Sequence, residues 1–297
     1  MTATPGEHPR GRASSAARQM WRLIEPIHAV TYFAPESREA LSGAGCKGFW
    51  MGYFAGRAAP LGAVGVSVVE AVFYNFHPDR VRRALPAAWD FTTPQTALDA
   101  RLAGAVAALA RAGIESSPRL EVAVDLLERC IDGAPLGGRP LAAAQASAPR
   151  PGDPIGRLWQ AATTLREHRG DGHVAALLTH GIGGRESHVL LATAQGFDPA
   201  TYQATRDFTP EEWESCQHAL RDRALLTADL ALSQEGLDLV DRVERVTDDL
   251  AGSAYASLSE DAIAQLCETL QPLAQAVVRA GDIPLASPMG LDLSDLV

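Results

Sequence analysis

The chain has 297 residues, of which 46% are hydrophobic and 21% charged, the composition of a folded globular protein of one or two domains. Its net charge of −10 disfavours nucleic-acid binding, because neutralised phosphates supply most of the affinity of nucleic-acid binders. Four scattered cysteines without a CxxC pair indicate reduced thiols, and the lack of a long apolar run or an N-terminal leader predicts a cytoplasmic protein without a membrane partner.

The first half of the chain is predicted to be a helical domain, residues 18–148, after a disordered tail at 1–17. A helix is expected over 20–33, with a kink at Pro26. The nearly all-apolar segment 46–60 predicts a helix that is buried on every side. Residues 64–76 fit a helix better than a strand. Further helices are predicted to start at prolines that follow a capping residue: Pro78, Pro94 and Pro118.

A linker is predicted at 148–154, APRPGDP, because three prolines and a glycine cannot continue a helix. It separates the first domain from a second domain at 155–281, which is followed by a C-terminal tail at 282–297. Within the second domain, glycines are expected to end three helices: 155–169, 172–180 and 185–195.

The second domain is predicted to end in a hairpin and two long helices. Thr209 and Pro210 cap and open a helix that runs to about Arg223. Two short apolar pieces within 224–236 predict a small β-hairpin, and the long helices follow Ser233 and Ser259. The predicted fold class is therefore mainly α, with an N-terminal helical domain and a C-terminal winged-helix-like domain carrying a β-hairpin wing.

This order of elements over 155–280, with "RALL" before the hairpin and "LSQEG" after it, resembles the winged helix-turn-helix of MarR-type regulators. The whole chain also resembles an actinobacterial family of helix-turn-helix-like proteins with no settled function. The segments that carry this resemblance are EPIHAVTYF, FWMGYFAGRAAPLG, FYNF, LREHRGDGH and a closing PMGL. The family closes with Asn-Pro-Met-Gly-Leu, whereas this chain has Ser287 before the proline.

The winged-helix resemblance implies that the helix from Pro210 is the reading helix and that the long helices after the wing form a homodimer. The reading helix begins with three carboxylates, Glu211, Glu212 and Glu214, and the wing carries Asp229. Like charges would face the phosphates, so DNA is disfavoured as a partner.

Single polar residues inside apolar segments predict a binding site for a small organic molecule instead. Glu25, His28 and Tyr32 share one helical face, and so do Trp50, Tyr53 and Arg57. Because a buried Arg needs an anionic partner, Arg57 is expected to form an ion pair with Glu70 or Glu25, or to hold an anionic ligand. Two further candidate ligand contacts are Tyr74 and Asn75.

The stretch REHRGDGH, residues 166–173, concentrates the remaining chemistry. Gly170, Asp171 and Gly172 are expected to break one helix and cap the next. The flanking residues are then free for function. Glu167, His168 and His173 are candidates for acid–base catalysis, and Arg169 for ligand binding. Glu167 is expected either to orient a histidine or to pair with Arg57.

The leading hypothesis is a small-molecule-binding protein, with the option of an enzyme of specialised metabolism, whose pocket lies between the two domains. The alternative is a ligand-responsive MarR-like regulator, and a third hypothesis is a purely structural partner protein. No phosphate loop, dinucleotide-binding fingerprint or nucleophile elbow is present, so the sequence names neither a cofactor nor a reaction. No metal site is predicted, because a zinc site needs further ligands at suitable spacing.

Overall fold

A computed structural model describes residues 9–285 and 290–297 of the chain. These residues form fourteen α-helices and no named strand, so the mainly α prediction is confirmed. The helices of the first half are α1 (Pro9–Phe33), α2 (Pro35–Gly43), α3 (Gly48–Ala58), α4 (Val66–Val72), α5 (Pro78–Ala84), α6 (Pro94–Arg111), α7 (Pro118–Gly133) and α8 (Pro140–Ala146). Those of the second half are α9 (Pro154–Thr179), α10 (Gly184–Gln195), α11 (Pro199–Arg206), α12 (Pro210–Asp222), α13 (Gln234–Gly252) and α14 (Glu260–Arg279).

Side-chain caps position the helix starts that the sequence predicts. Thr93, Ser117 and Thr209 each accept a hydrogen bond from the backbone N–H three residues later, directly before a proline. Ser233 and Ser259 cap α13 and α14 in the same way. These caps satisfy N–H groups that have no partner inside the helix, so the local sequence is sufficient to start the helices there.

Helix α9 overturns the predicted break at Gly170–Gly172, because it continues through both glycines to Thr179. Asp171 does not cap the helix that is predicted to start there; its carboxylate accepts a hydrogen bond from the backbone N–H of Ala142, in the first turn of α8. A Cβ at Gly172 would lie 2.8 Å from Nη1 of Arg139, so the glycine lets a neighbouring side chain approach. Tertiary packing therefore overrides the helix-ending preference of these residues.

The largest hydrophobic core includes residues from both sides of the predicted linker. Leu158 and Trp159 of α9 belong to the same cluster as Ile24 of α1 and Leu127 of α7. Helix α9 packs against α1, α6, α7, α8 and α13. The segment 148–154 connects α8 to α9, and a domain boundary at this segment stays a prediction.

The two predicted tails are partly structured. Helix α1 begins at Pro9, so residues 9–17 are helical where the sequence predicts disorder, and residues 1–8 lie outside the described part. At the other end, Leu291, Leu293 and Leu296 are buried in the largest core. The motif residues Ser287, Pro288 and Met289 lie outside the described residues.

Two smaller cores form beside the largest one. The first-half core joins α3, α4 and α5, with Phe54 and Phe73 buried in it. The second-half core joins α10, α11, α12 and α13 around Tyr202 and Trp213. Helix α10 begins so close to the first half that a Cβ on Gly184 would overlap the carbonyl oxygen of Tyr74.

The predicted β-hairpin wing is wrong as a pair of strands. Leu226 and Leu232 form one isolated antiparallel bridge around a tight turn in which the N–H of Thr227 donates to the carbonyl of Ala231, at 2.9 Å. Leu225 and Leu226 are buried in the second-half core, and α13 starts at Gln234. The segment is too short and too firmly packed to extend as a ribbon.

The long helices α13 and α14 use their apolar faces within the chain. Helix α13 packs on α1 and α9, and α14 packs on α1 and α7. The homodimer stays a prediction. Taken singly, the described helices are too short or too polar to cross a membrane; one bent pair, 48–61 with 66–72, meets the criterion by length and composition alone.

Candidate functional site

The candidate residues of 167–173 point in different directions around α9. Glu167 faces α3, where it meets Arg57. His168 faces the segment before α8, and its Nε2 lies 3.3 Å from the carbonyl of Pro135. Arg169 and His173 face α13. The predicted catalytic group of Glu167, His168 and His173 is therefore not assembled in one place.

The Arg57–Glu167 pair forms a buried, two-pronged salt bridge. Nε and Nη2 of Arg57 each donate to one carboxylate oxygen of Glu167 at 2.9 Å. Burial alone would raise the pKa of Glu167, but Arg57 and Arg166 hold it well below the usual range. The expected pairing of Arg57 with Glu70 or Glu25 is wrong, because Glu25 pairs with Arg166 and Glu70 with Arg82. The alternative partner, Glu167, is the one that the structure has, and it is a charge partner and a poor proton acceptor.

A second arginine extends this pair into a network of two positive and two negative charges. Arg166 donates to Glu25 at 3.3 Å and to Glu167 at 3.1 Å, and Nε1 of Trp21 donates to Glu25 at 3.1 Å. We call Glu25, Arg57, Arg166 and Glu167 the ionic network. Its formal charges cancel, as a buried cluster requires.

A histidine and two tyrosines border the ionic network. His28 contacts the hydroxyl of Thr163 at 3.0 Å and the hydroxyl of Tyr32 at 3.1 Å. Burial, followed by the charge of Arg166, lowers the pKa of His28 well below its ordinary value, so the imidazole is neutral at pH 7. The hydroxyl of Tyr53 accepts a hydrogen bond from Arg57 at 3.3 Å, and the Tyr32 and Tyr53 rings lie 4.9 Å apart.

Aromatic side chains continue from Tyr53 toward the second half of the chain. The Tyr53 ring lies 5.6 Å from Trp50 and 5.4 Å from Phe76. We call Tyr32, Trp50, Tyr53 and Phe76 the aromatic cluster. All four side chains keep partial solvent access, as do Arg57 (11%) and Arg166 (19%), so solvent reaches the edge of the ionic network.

Arginines of α5 and α11 close the far side of the aromatic cluster. The Arg80 guanidinium lies 4.1 Å from the Trp50 ring centroid, and its Nε donates to Asp207 at 2.6 Å. The Arg206 guanidinium lies 4.9 Å from the Phe76 ring centroid. These contacts place the end of α11, which belongs to the second half of the chain, against the aromatic cluster.

Arg169 and His173 belong to a separate polar cluster between α1, α9 and α13. Nη2 of Arg169 donates to Glu244 and to Asp248, each at 3.1 Å, and its guanidinium stacks 3.7 Å from the Trp21 ring centroid. Nδ1 of His173 lies 3.0 Å from the Thr247 hydroxyl. Burial lowers the pKa of His173 to about 4, although Glu244 opposes the shift.

His168 belongs to a third polar cluster, around Arg139. That guanidinium donates to the carbonyl oxygens of His168 and Leu250. Burial, together with the charge of Arg139, lowers the pKa of His168 to about 4. These contacts hold the start of α8 and the end of α13 against the middle of α9.

Tyr74 and Asn75 contact α10 and the segment before it instead of the aromatic cluster. The Tyr74 hydroxyl donates to the carbonyl of Ile182 at 2.7 Å, and the Asn75 amide donates to the Ser187 hydroxyl at 2.7 Å. Nε2 of His188, also on α10, lies 3.0 Å from the carbonyl oxygen of Asn75.

The structure thus brings together six of the candidate residues: His28, Tyr32, Trp50, Tyr53, Arg57 and Glu167. Sequence reasoning assigned no role to Arg166, Arg80 or Arg206. A continuous α9 would have pointed to Arg166, because Arg166, Gly170 and His173 then recur at i, i+4 and i+7 on one face.

Two cavities of the described chain lie away from the aromatic cluster. One of about 780 Å³ is an open polar groove between α1, α13 and the C-terminal segment, and it includes Arg18, Arg245 and Asp295. The other, beside α7 and Gln160, is about 10 Å³. Over residues 9–285 and 290–297, no group of three or more His, Cys, Asp or Glu side chains has the geometry to hold a metal ion.

The exposed face of α12 is acidic. Glu211, Glu214 and Asp222 are exposed together with one arginine of this helix, Arg221. Just beyond the helix, Arg223 donates to the carbonyl oxygens of Gly181 and His180, at 2.8 and 3.1 Å. The predicted reading face therefore offers more negative than positive charge to a partner.

Comparison with known proteins yields one family. A family model described as a helix-turn-helix family matches residues 17–284. Nothing among curated proteins or solved structures matches the chain.

Proposed function

Because the chain belongs to this helix-turn-helix family, we propose that it uses the family fold to bind a small, planar organic molecule at the aromatic cluster. The ligand would bind at the partly exposed faces of these side chains, next to Arg206 of α11. Family membership supports the fold alone, since a fold does not determine a function. The proposal therefore depends on the site.

One observation carries the proposal: segments that are distant in sequence bring aromatic and charged side chains together, and these side chains stay partly exposed. Tyr32, Tyr53, Arg57 and Arg166 come from α1, α3 and α9, and each keeps some solvent access. Three of the segments that mark the family resemblance supply these four residues. Aromatic walls with a few fixed polar groups are typical of small-molecule sites.

No acid–base reaction is part of this proposal. The pKa of Glu167 lies well below the range of a catalytic base at neutral pH, and its two oxygens are occupied by Arg57 and Arg166. His168 and His173 lie in other clusters. The proposed role is therefore binding.

Native mass spectrometry of the freshly purified full-length chain tests the proposal, followed by thermal shifts with a set of planar aromatic compounds. We expect a retained organic molecule or a saturable shift that Tyr53→Leu weakens at least tenfold. Phe91→Ala is the matched control, because Phe91 is an exposed ring near Lys47 and outside the aromatic cluster. The proposal fails if the chain carries no such molecule and none of the compounds shifts the wild-type melting temperature.

A second candidate, a DNA-binding regulator, is favoured by the family match and by the compact α10–α12 unit. It requires α12 to approach phosphates with Glu211, Glu214 and Asp222 exposed, which is electrostatically unfavourable. Fluorescence anisotropy with DNA from upstream of its own gene separates the two candidates. Affinity that falls steeply with salt and is lost in Arg221→Ala would favour the regulator; light scattering would show whether it is a homodimer.

A further inference from the structure

Three buried polar atoms of the second-half core have no hydrogen-bond partner among the described residues. They are the Tyr202 hydroxyl, Nε of Arg206 and Nε1 of Trp213. All three can donate a hydrogen bond. Because a buried donor without an acceptor costs about 1–3 kcal/mol, several on neighbouring side chains need an explanation.

Arg206 is the least compensated of these groups. Its one hydrogen bond to the described residues runs from Nη1 to the carbonyl of the adjacent Thr205, at 3.3 Å, and no carboxylate of the described chain lies within salt-bridge distance. Burial lowers the pKa of Arg206, and the charges of Arg80 and Arg57 act in the same direction. The Arg206 side chain is partly exposed, but its Nε is buried and unpaired, so this cation has no anionic partner among the described residues.

Other buried arginines of the chain differ from Arg206. Arg57 and Arg80 each have a carboxylate, Glu167 and Asp207. Arg101 has none, but it donates to the carbonyl of Gly56 at 2.8 Å and to the side chain of Gln145 at 3.0 Å. Nε of Arg101 and Nε of Arg169 are also buried without a partner, but each of these side chains makes two other hydrogen bonds. Arg206 differs because its single bond runs to the adjacent residue.

The unsatisfied groups lie next to the aromatic cluster. Tyr202 precedes Arg206 by one helical turn on α11, and its ring lies 5.9 Å from that of Trp213. The Arg206 guanidinium lies 4.9 Å from the Phe76 ring centroid. A water molecule could satisfy the hydroxyl or the indole, but it would not compensate the charge.

We propose that Arg206, assisted by the Tyr202 hydroxyl, binds an oxyanion, the carboxylate or phosphate group of a small molecule, where α11 meets Phe76. This inference rests on the proposed function, because it names the anionic class of that ligand. The forked guanidinium matches the two oxygens of a carboxylate or phosphate, and the phenol adds a third donor. The bound anion links α11 of the helix-turn-helix unit to the aromatic cluster.

Thermal unfolding of the full chain tests the inference with two probes, inorganic phosphate and benzoate, each compared with sodium chloride at equal ionic strength. We expect at least one probe to raise the wild-type melting temperature by about 2 °C or more, because an anion that binds the folded state stabilises it. Arg206→Gln should abolish the shift, and Tyr202→Phe should reduce it. Arg221→Gln, an exposed arginine of α12, is the matched control and should keep the full shift.

A second readout separates a binding role from a structural one. In chloride alone, Arg206→Gln should be at least as stable as the wild type, because it removes an uncompensated buried charge. Loss of folded protein in this variant would overturn the inference, as would an equal anion shift in both proteins or no shift with either probe.

The two probes also distinguish this inference from the proposed function. A phosphate shift that depends on Arg206, without any organic ligand at the aromatic cluster, would keep the oxyanion site and remove the proposed function. An organic ligand that binds wild type and Arg206→Gln equally would keep the proposed function and remove the oxyanion site. A larger shift with benzoate identifies a carboxylate ligand, and a larger shift with phosphate identifies a phosphate ligand.

Discussion

Individual side chains of the ionic network are held by partners from other helices. Glu167 accepts from Arg57 of α3 and from its neighbour Arg166, and Arg166 reaches Glu25 of α1. Removing two charges from water is costly, so such a network is stable only while its charges remain balanced. The effect of a substitution here therefore depends on the charge it leaves behind.

We expect Glu167→Gln and Arg57→Met each to lower the free energy of unfolding by about 3–5 kcal/mol, because each leaves an unpaired buried charge. The double variant Arg57→Met/Glu167→Leu should lose less than either single variant, since it restores charge balance. Urea unfolding measures all three. Arg119→Ala, in the exposed Arg119–Glu268 pair, is the control and should cost less than about 1 kcal/mol. A double variant as unstable as the sum of the singles would contradict this account.

Among the elements, α9 shows how packing decides a helix. Its two glycines have different surroundings: a Cβ at Gly170 would meet the Glu167 carboxylate at an ordinary 3.6 Å, whereas one at Gly172 would meet Arg139 at 2.8 Å and Leu250 at 3.3 Å. Gly172 is thus required by a close approach, and Gly170 is not.

The two glycines therefore give opposite predictions. Gly170→Ala should stabilise the protein by about 0.5–1 kcal/mol, because alanine favours a helix interior over glycine. Gly172→Ala should destabilise it by about 1–3 kcal/mol through overpacking against Arg139. Chemical denaturation of the pair measures both. If α9 instead ended at Gly170 in a left-handed conformation, Gly170→Ala would be destabilising, and a continuous helix would be excluded.

Over the whole molecule, four histidines with a lowered pKa are predicted to make the free energy of unfolding depend on pH. Burial is the main cause that lowers the pKa values of His28, His168, His173 and His188, which lie in different parts of the fold. An unfolded histidine has a pKa of about 6.5. The folded pKa is about 4 for His168 and His173. At pH values between the folded and the unfolded pKa, the unfolded chain binds more protons than the folded chain.

The free energy of unfolding should therefore have its full value above about pH 7. It should fall as the pH drops below about 6.5, by up to about 1.4 kcal/mol per pH unit for each histidine. Urea unfolding between pH 5 and pH 8 measures this slope. Near pH 5.5, His168→Gln should reduce this slope by the contribution of one proton, about 1.4 kcal/mol per pH unit. The same substitution should leave the slope unchanged at pH 8, where the histidine is neutral in both states. A wild-type stability that is constant from pH 8 to pH 5 would rule the explanation out.

The sequence by itself determined the helical class and most helix starts, because capping residues such as Thr93 and Ser117, with the prolines after them, act over three or four positions. It also determined the acidic charge of α12, since composition depends on no distant contact. The predicted burial of α3 on every side is wrong, because Phe49 is 44% exposed and Trp50, Met51 and Tyr53 are only partly buried. The sequence also failed at Gly170–Gly172 and at the hairpin, where packing outweighs local preference.

Only the tertiary structure decided which polar groups meet. The pairing of Arg57 with Glu167 joins residues 110 positions apart, and the separation of Glu167, His168 and His173 follows from the directions in which one helix projects its side chains. The uncompensated state of Arg206 is likewise invisible in the sequence, because it depends on every side chain that surrounds the guanidinium.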